Sequence, residues 1–243
     1  GVLQLATGAM VRLVPRLPAW VPAPAIWPYA VGVVLIALGL AILAGRMVRT
    51  AATVVAALIL ADVVLLYAPL MVVNPVVDRP FFRGFMWTNP LKCLALIGGA
   101  ALLAAWHPDE PRVITARGVA RLLPLAAVFL APFLVVGGVQ HFWYRDFVTA
   151  LVPAWMPARR FWTYFTGAAL IWGGVGILVP RTARLAATLT GVMIFLWVLM
   201  LHIPRALAGP NHANETAGIF EALALSGVAL MVCAGRPDRP RSG

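Results

Sequence analysis

The sequence predicts an all-α polytopic membrane protein: a duplicated four-helix transmembrane bundle with seven spans in this chain and eight expected in the intact protein. Three observations carry that expectation. Hydrophobic residues make up 62% of the 243 positions and charged residues 11%, against roughly half and a quarter in soluble domains. A soluble fold of this length has too little interior for so much apolar surface. The apolar residues fall into runs close to the roughly 20 residues that cross hydrocarbon at about 1.5 Å per residue. Finally, Pro153 to Thr188 repeats Pro18 to Thr53 at an offset of 135, with about half of the positions identical.

The runs, in order, are Trp27–Gly45, Val48–Val72, Pro90–Trp106, Val119–Phe142, Phe161–Val179, Thr182–Ile203 and Ala217–Ala234. Gly and Pro inside them are tolerated as in other membrane helices. Between them lie aromatic elbows and basic turns. The repeat includes PAW-x-PA in both elbows (Pro18, Pro153), W-x-Y-x-x-G at the following helix start (Trp27, Trp162), R-x-x-R in the next turn (Arg46, Arg181) and AAT after it. Near the ends of the halves, LKCLALIGGAL from Leu91 aligns with FEALALSGVAL from Phe220, which sets Lys92 opposite Glu221.

The repeat divides the chain into a first unit, 1–106, a linker, 107–118, a second unit, 119–234, and a basic tail, 235–243. The second unit has a span, Val119–Phe142, ahead of its elbow, and the first begins almost at its own elbow, so a preceding helix is expected. Units with an even number of spans point the same way and are related by an axis along the membrane normal. Basic residues decide orientation by density. Arg46, Arg49, Arg112, Arg117, Arg121, Arg181, Arg184, Arg236, Arg239 and Arg241 lie in tight turns and the tail; Arg12, Arg16, Arg79, Arg83, Lys92, Arg145, Arg159, Arg160 and Arg205 lie on the side of the long elbows. The tight turns, the linker and the C-terminus are therefore expected in the cytoplasm of a cell with the protein in its inner membrane.

The formal charge of +11 has the same origin, since basic juxtamembrane turns touch anionic headgroups. No basic, aromatic-interleaved soluble face exists to bind nucleic acid. The two cysteines, Cys93 and Cys233, each lie inside an apolar run without C-x-x-C spacing, which points to no dithiol centre and no metal site. Hydrolase signatures such as G-x-S-x-G, H-E-x-x-H and the P-loop are missing from the sequence.

In the second unit G-x-x-HF is followed by a VP-x-W elbow, a W-x-Y-x-x-G helix start and an H-x-P helix end. The residues are Gly138, His141, Phe142, Val152, Pro153, Trp155, Pro157, Trp162, Tyr164, Gly167, His202 and Pro204. This pattern resembles the DoxX-like family, small four-helix membrane proteins related to the DoxD subunit of thiosulfate:quinone oxidoreductase. The resemblance covers 119–234 well and 18–106 as a degenerate copy. It implies a four-helix bundle and, as in some members of the family, association with quinone or thiol redox partners. The first copy departs from the pattern, with Tyr67 where the second has His202.

His141, His202 and His212 are expected on one, non-cytoplasmic side, with Arg205, Asn211, Asn214, Glu215 and Glu221 near them in sequence. His202 and Arg205 are three apart and share a helix face. A quinone headgroup needs a hydrogen-bond partner at each carbonyl and an apolar groove for its tail. His141, His202 and Arg205 offer the first; the Trp-rich elbow, with Trp155 and Trp162, offers the second. The competing reading is an interfacial belt of Trp, Tyr, Arg and His, with Asn214 and Glu215 as helix caps. A bis-histidine haem on His141 and His202 has only that weaker support.

Asp62 lies near the middle of its span, where a carboxylate is a functional candidate, here for proton transfer, unless it serves as a buried partner for Lys92 or Arg83 or as a protonated acid bonded to a carbonyl. Lys92 and Glu221 are expected to face each other as a buried pair. The catalytic candidates are thus His202, Arg205, Glu221 and Asp62. The leading expectation is a membrane component of a quinone-handling redox system. A non-catalytic anchor for a partner protein and a small-molecule transporter are the other classes.

Overall fold

The computed structural model describes residues 1–11, 13–15, 17, 18, 20–73, 85–107, 115–208 and 212–235. Among these the secondary structure is helical, with no strand. Arg12, Arg16, Arg79, Arg83, Arg112, Asn211, Arg236, Arg239 and Arg241 lie outside the described residues, as do the side chains of Arg117 and His212. So does almost all of the tail expected at 235–243.

The helices are α1 (Val2–Thr7), α2 (Trp27–Leu43), α3 (Val48–Asp62), α4 (Ala68–Val73), α5 (Phe85–Trp106), α6 (Thr115–Trp143), α7 (Arg145–Leu151), α8 (Arg159–Leu178), α9 (Ala183–Trp197), α10 (Ile203–Ala208) and α11 (His212–Ala234). Wider π-helical turns, Val63–Tyr67 and Val198–His202, join α3 to α4 and α9 to α10. Among the described residues six helical stretches are long and apolar enough to cross a membrane: Val48–Val72, Trp87–Trp106, Arg121–Trp143, Arg159–Leu178, Ala183–Ala208 and Ala213–Ala234. The seventh apolar run forms α2, which has 17 residues. Helices extend beyond the apolar runs at four starts, Phe85, Thr115, Arg159 and His212. Pro90, Pro124 and Pro132 are accommodated inside α5 and α6.

The outward surface is apolar. Leu40, Leu43, Trp172, Leu185 and Leu189 are each at least 60% exposed. A continuous apolar exterior of this kind is what a lipid-facing surface requires and what a water-facing one avoids.

The core sits among α5, α6, α8, α9 and α11, around Leu102, Leu130, Leu134, Ile177, Ile194 and Val232. Helix α6 is its axis, packed on α5 along one side and on α8 along another; α9 packs on α11, and α3 on α5. Lipid tails are as apolar as leucine, so such helices are held by close backbone approach at small residues and by hydrogen bonds. At the α6–α8 crossing a Cβ on Gly138 would stand 2.6 Å from the Gly167 carbonyl oxygen and 2.9 Å from the Ile171 nitrogen. Lower down, a Cβ on Gly174 would stand 2.8 Å from the Ala131 carbonyl oxygen. These neighbours are backbone and cannot swing aside.

Several local features recur at the repeat spacing. Against α2, a Cβ on Gly1 would stand 2.5 Å from the Gly32 carbonyl oxygen and 3.1 Å from the Ile36 nitrogen. Gly32 and Ile36 lie 135 positions before Gly167 and Ile171. Ala23 and Ala158, also 135 apart, both take the left-handed conformation, with φ 48° and 52°. This conformation costs a non-glycine residue about 1–2 kcal/mol. Each follows the second proline of its elbow, which fixes the entry of the next helix.

Because the α6–α8 crossing has no room for a side chain, Gly174→Leu should lower stability by about 1–3 kcal/mol or more. The check is thermal unfolding in detergent beside Gly227→Leu, whose Cβ would meet nothing within 4 Å and which should change little.

Candidate functional site

The two π turns have a cause in the chain. Tyr67-x-Pro69 and His202-x-Pro204 place a proline just inside the helix that follows each turn. Proline has no N–H to donate and its ring crowds the carbonyl four residues back. The preceding turn widens instead, so that Ala68 N–H donates to the Val63 carbonyl and Ile203 N–H to the Val198 carbonyl, each five residues back. Residues five apart in such a turn lie closer to one face than in an α-helix, where they are about 140° apart. Trp197 and His202 are thereby brought to one side of their span, and Asp62 and Tyr67 to one side of theirs.

His141, near the end of α6, meets the first of these pairs. Its Nδ1 lies 2.7 Å from the Gly137 carbonyl oxygen. A carbonyl can only accept, so Nδ1 carries the proton and Nε2 is left as the acceptor of a neutral imidazole. The ring stacks on Trp197, with centroids 6.1 Å apart and planes at 26°. His141 and Trp197 thus meet, while the π turn that carries His202 packs against α11.

Arg205 holds Glu215 in a two-pronged ion pair, Nε to Oε2 at 3.1 Å and Nη2 to Oε1 at 2.7 Å. The pair ties α10 to the first turn of α11, and both groups are partly exposed. The fork of the guanidinium matches the two carboxylate oxygens, the stronger form of such contacts. Glu215 is therefore a cross-helix partner as well as a first-turn acid.

Deeper in the bundle, Lys92 of α5 and Glu221 of α11 form the expected pair, Nζ to Oε1 at 2.5 Å, with side chains 11% and 7% exposed. Beside them Thr88 donates to the Gln140 side-chain oxygen at 2.8 Å, joining α5 to α6. Asp62 is not the partner of Lys92. Its Oδ2 accepts from the Cys93 thiol at 3.9 Å, and its Oδ1 is buried with no hydrogen-bond partner. The Tyr67 hydroxyl donates to the Leu13 carbonyl and has Asn89 beside it.

Trp155 is 69% exposed, as is Trp20 at the matching place of the first elbow. Trp162 packs edge-on against Phe161 and Phe165, at 5.4 and 5.8 Å. The elbow tryptophans thus belong to an exposed aromatic rim, while His141 and His202 belong to the bundle. Cys93 and Cys233 are free thiols, the first buried and the second 2.9 Å from the Thr188 hydroxyl.

Sequence reading passed over Thr88, Asn89 and Gln140. Their signal was available: Thr88 and Lys92, then Asn89 and Cys93, are two i, i+4 pairs that line one side of an otherwise apolar helix. The π turns too were marked by the Tyr/His-x-Pro pattern.

Removing either member of the Lys92–Glu221 pair leaves an uncompensated buried charge, at a cost of roughly 3–5 kcal/mol. Lys92→Glu and Glu221→Lys should each lose folded yield and thermal stability in detergent. The double swap should recover most of the loss, and a swap no better than the singles would refute the contact.

Residues 130–233 match a family described as a domain of unknown function, DUF8561. The match takes in His141, Trp197, His202, Arg205, Glu215 and Glu221 and leaves out Asp62, Tyr67 and Lys92. No curated protein and no solved structure matches the chain.

Proposed function

We propose that the chain is a DoxX-like membrane protein of two tandem four-helix units that serves as the quinone-handling membrane component of a redox system. The tandem arrangement is supported by the features that recur 135 positions apart: the paired π turns, the left-handed Ala23 and Ala158, and the glycine crossings at Gly32 and Gly167. In this reading α2 is the seventh span, and the tight turns and C-terminus face the cytoplasm of the inner membrane.

The observation that carries the quinone reading is the arrangement of His141. Its proton is committed to Gly137, its ring lies on Trp197, and His202 is one π turn away. A quinol hydroxyl can donate to the Nε2 lone pair of a neutral imidazole, while the indole face lines the place of a flat ring. Arg205 is engaged by Glu215 and acts in this reading by positioning the start of α11 rather than by holding a carbonyl.

A second reading, an anchor for a partner protein, is favoured by the elbows. Trp155, Phe147 and Phe161 are each more than half exposed and sit together in sequence around the second elbow. Such a rim suits a docking surface as well as a membrane interface.

The deciding measurement is a quinone titration of the detergent-purified protein, read by quenching of its tryptophan fluorescence. Saturable quenching weakened at least tenfold by His141→Ala or His202→Ala, equivalent to about 1.4 kcal/mol, is the expected result. Linear quenching unchanged by either substitution would mean partition into the micelle and would overturn the site. The anchor reading then predicts that a soluble protein co-purifies at fixed stoichiometry and is lost with Trp155→Ala.

A further inference from the structure

A carboxylate inside a membrane span is stable only if it is paired, hydrated or protonated. The surroundings of Asp62 can be followed group by group. From α5, Cys93 reaches its Oδ2, and this thiol, 1% exposed, is a weak donor. The other nearby group of α5, Lys92, is committed to Glu221 of α11. From its own span Tyr67 lies one π turn away and gives its hydroxyl proton to Leu13. Helix α2, which also packs on α3, has no charged residue between Trp27 and Leu43. Among the described residues the Oδ1 atom is buried with no hydrogen-bond partner.

We propose that Asp62 is a proton-binding site within the bundle, carrying a proton that it exchanges along the polar side of α5. The Lys92–Glu221 pair keeps the neighbouring charge balanced, so among the described residues no cation is paired with Asp62 and the proton takes that place. Thr88, Asn89, Lys92 and Cys93 run along α5 from near its start to Asp62. They form two adjacent i, i+4 columns of groups able to pass a hydrogen bond. Tyr67 borders the same path, within electrostatic reach of Asp62, Cys93 and Glu221. In the second half the position 135 residues on from Asp62 is Trp197, and that from Tyr67 is His202. The proton site and the aromatic site therefore occupy matching places and carry different chemistry. The inference does not rest on quinone binding.

An apolar carbodiimide tests it directly, because dicyclohexylcarbodiimide enters membrane interiors and adds to protonated carboxylic acids. The wild-type protein in detergent would be treated over a range of pH and the modified residues located by mass spectrometry. Asp62 should be labelled, at least tenfold faster at acid than at alkaline pH, and Glu221 should stay unlabelled while Lys92 holds it. In Lys92→Met, Glu221 should become labelled as well, which shows that the reagent reaches this depth. Asp62 left unmodified in the wild type, or modified at the same rate across the pH range, would overturn the proposal.

Discussion

Lipid removes the hydrophobic force that packs helices in water, and the bundle depends on what replaces it: close backbone contact at glycine along α6. Gly138 against Gly167 and Gly174 against Ala131 let α6 and α8 touch backbone to backbone. Gly98 of α5 approaches the Cα of Ala126 on the opposite side of α6 in the same way, where an added Cβ would stand 2.8 Å away. Helix α6 is gripped from two sides, and the buried leucines and alanines of α5, α8, α9 and α11 gather around it. A helix fixed this tightly is a suitable mount for a functional group, and His141 stands near its end.

Polar contacts then tie the remaining helices to that axis, each with a partner of matching character. Thr88 and Gln140 link α5 to α6, Lys92 and Glu221 link α5 to α11, and Arg205 and Glu215 link α10 to α11. In a medium that cannot solvate them, such groups are costly alone and tolerable together. Asp62 stands apart from these three contacts. Among the described residues its neighbours contribute a weak thiol donor and no paired cation, which is the physical basis for assigning it a proton.

The two π turns convert one sequence device into two environments. A proline two positions beyond Tyr67 and beyond His202 widens the turn before it and sets residues five apart in line. In one span the aligned residues are Asp62 and Tyr67; in the other they are Trp197 and His202. If the two halves arose from one unit, as we propose, the backbone geometry was kept while the side chains diverged. A carboxylate and phenol on one side and an indole and imidazole on the other suit a proton and a flat aromatic ring respectively.

Much of the architecture was legible from the sequence because lipid imposes simple rules. Composition marked a membrane protein, and apolar run length marked seven spans, six of which form helices long and apolar enough to cross a bilayer among the described residues, since unsatisfied backbone groups leave no other course for such segments. The opposition of Lys92 and Glu221 was also readable, from the alignment of the two helices that carry them. The tertiary structure alone decided which polar groups meet. Arg205 takes Glu215, His141 lies on Trp197, and Asp62 meets Cys93 rather than Lys92. Those choices turn on a few ångströms between helix faces and on a widened turn that rotates a side chain by a large angle. A one-dimensional pattern specifies which face a residue occupies, and only the packed bundle specifies what that face touches.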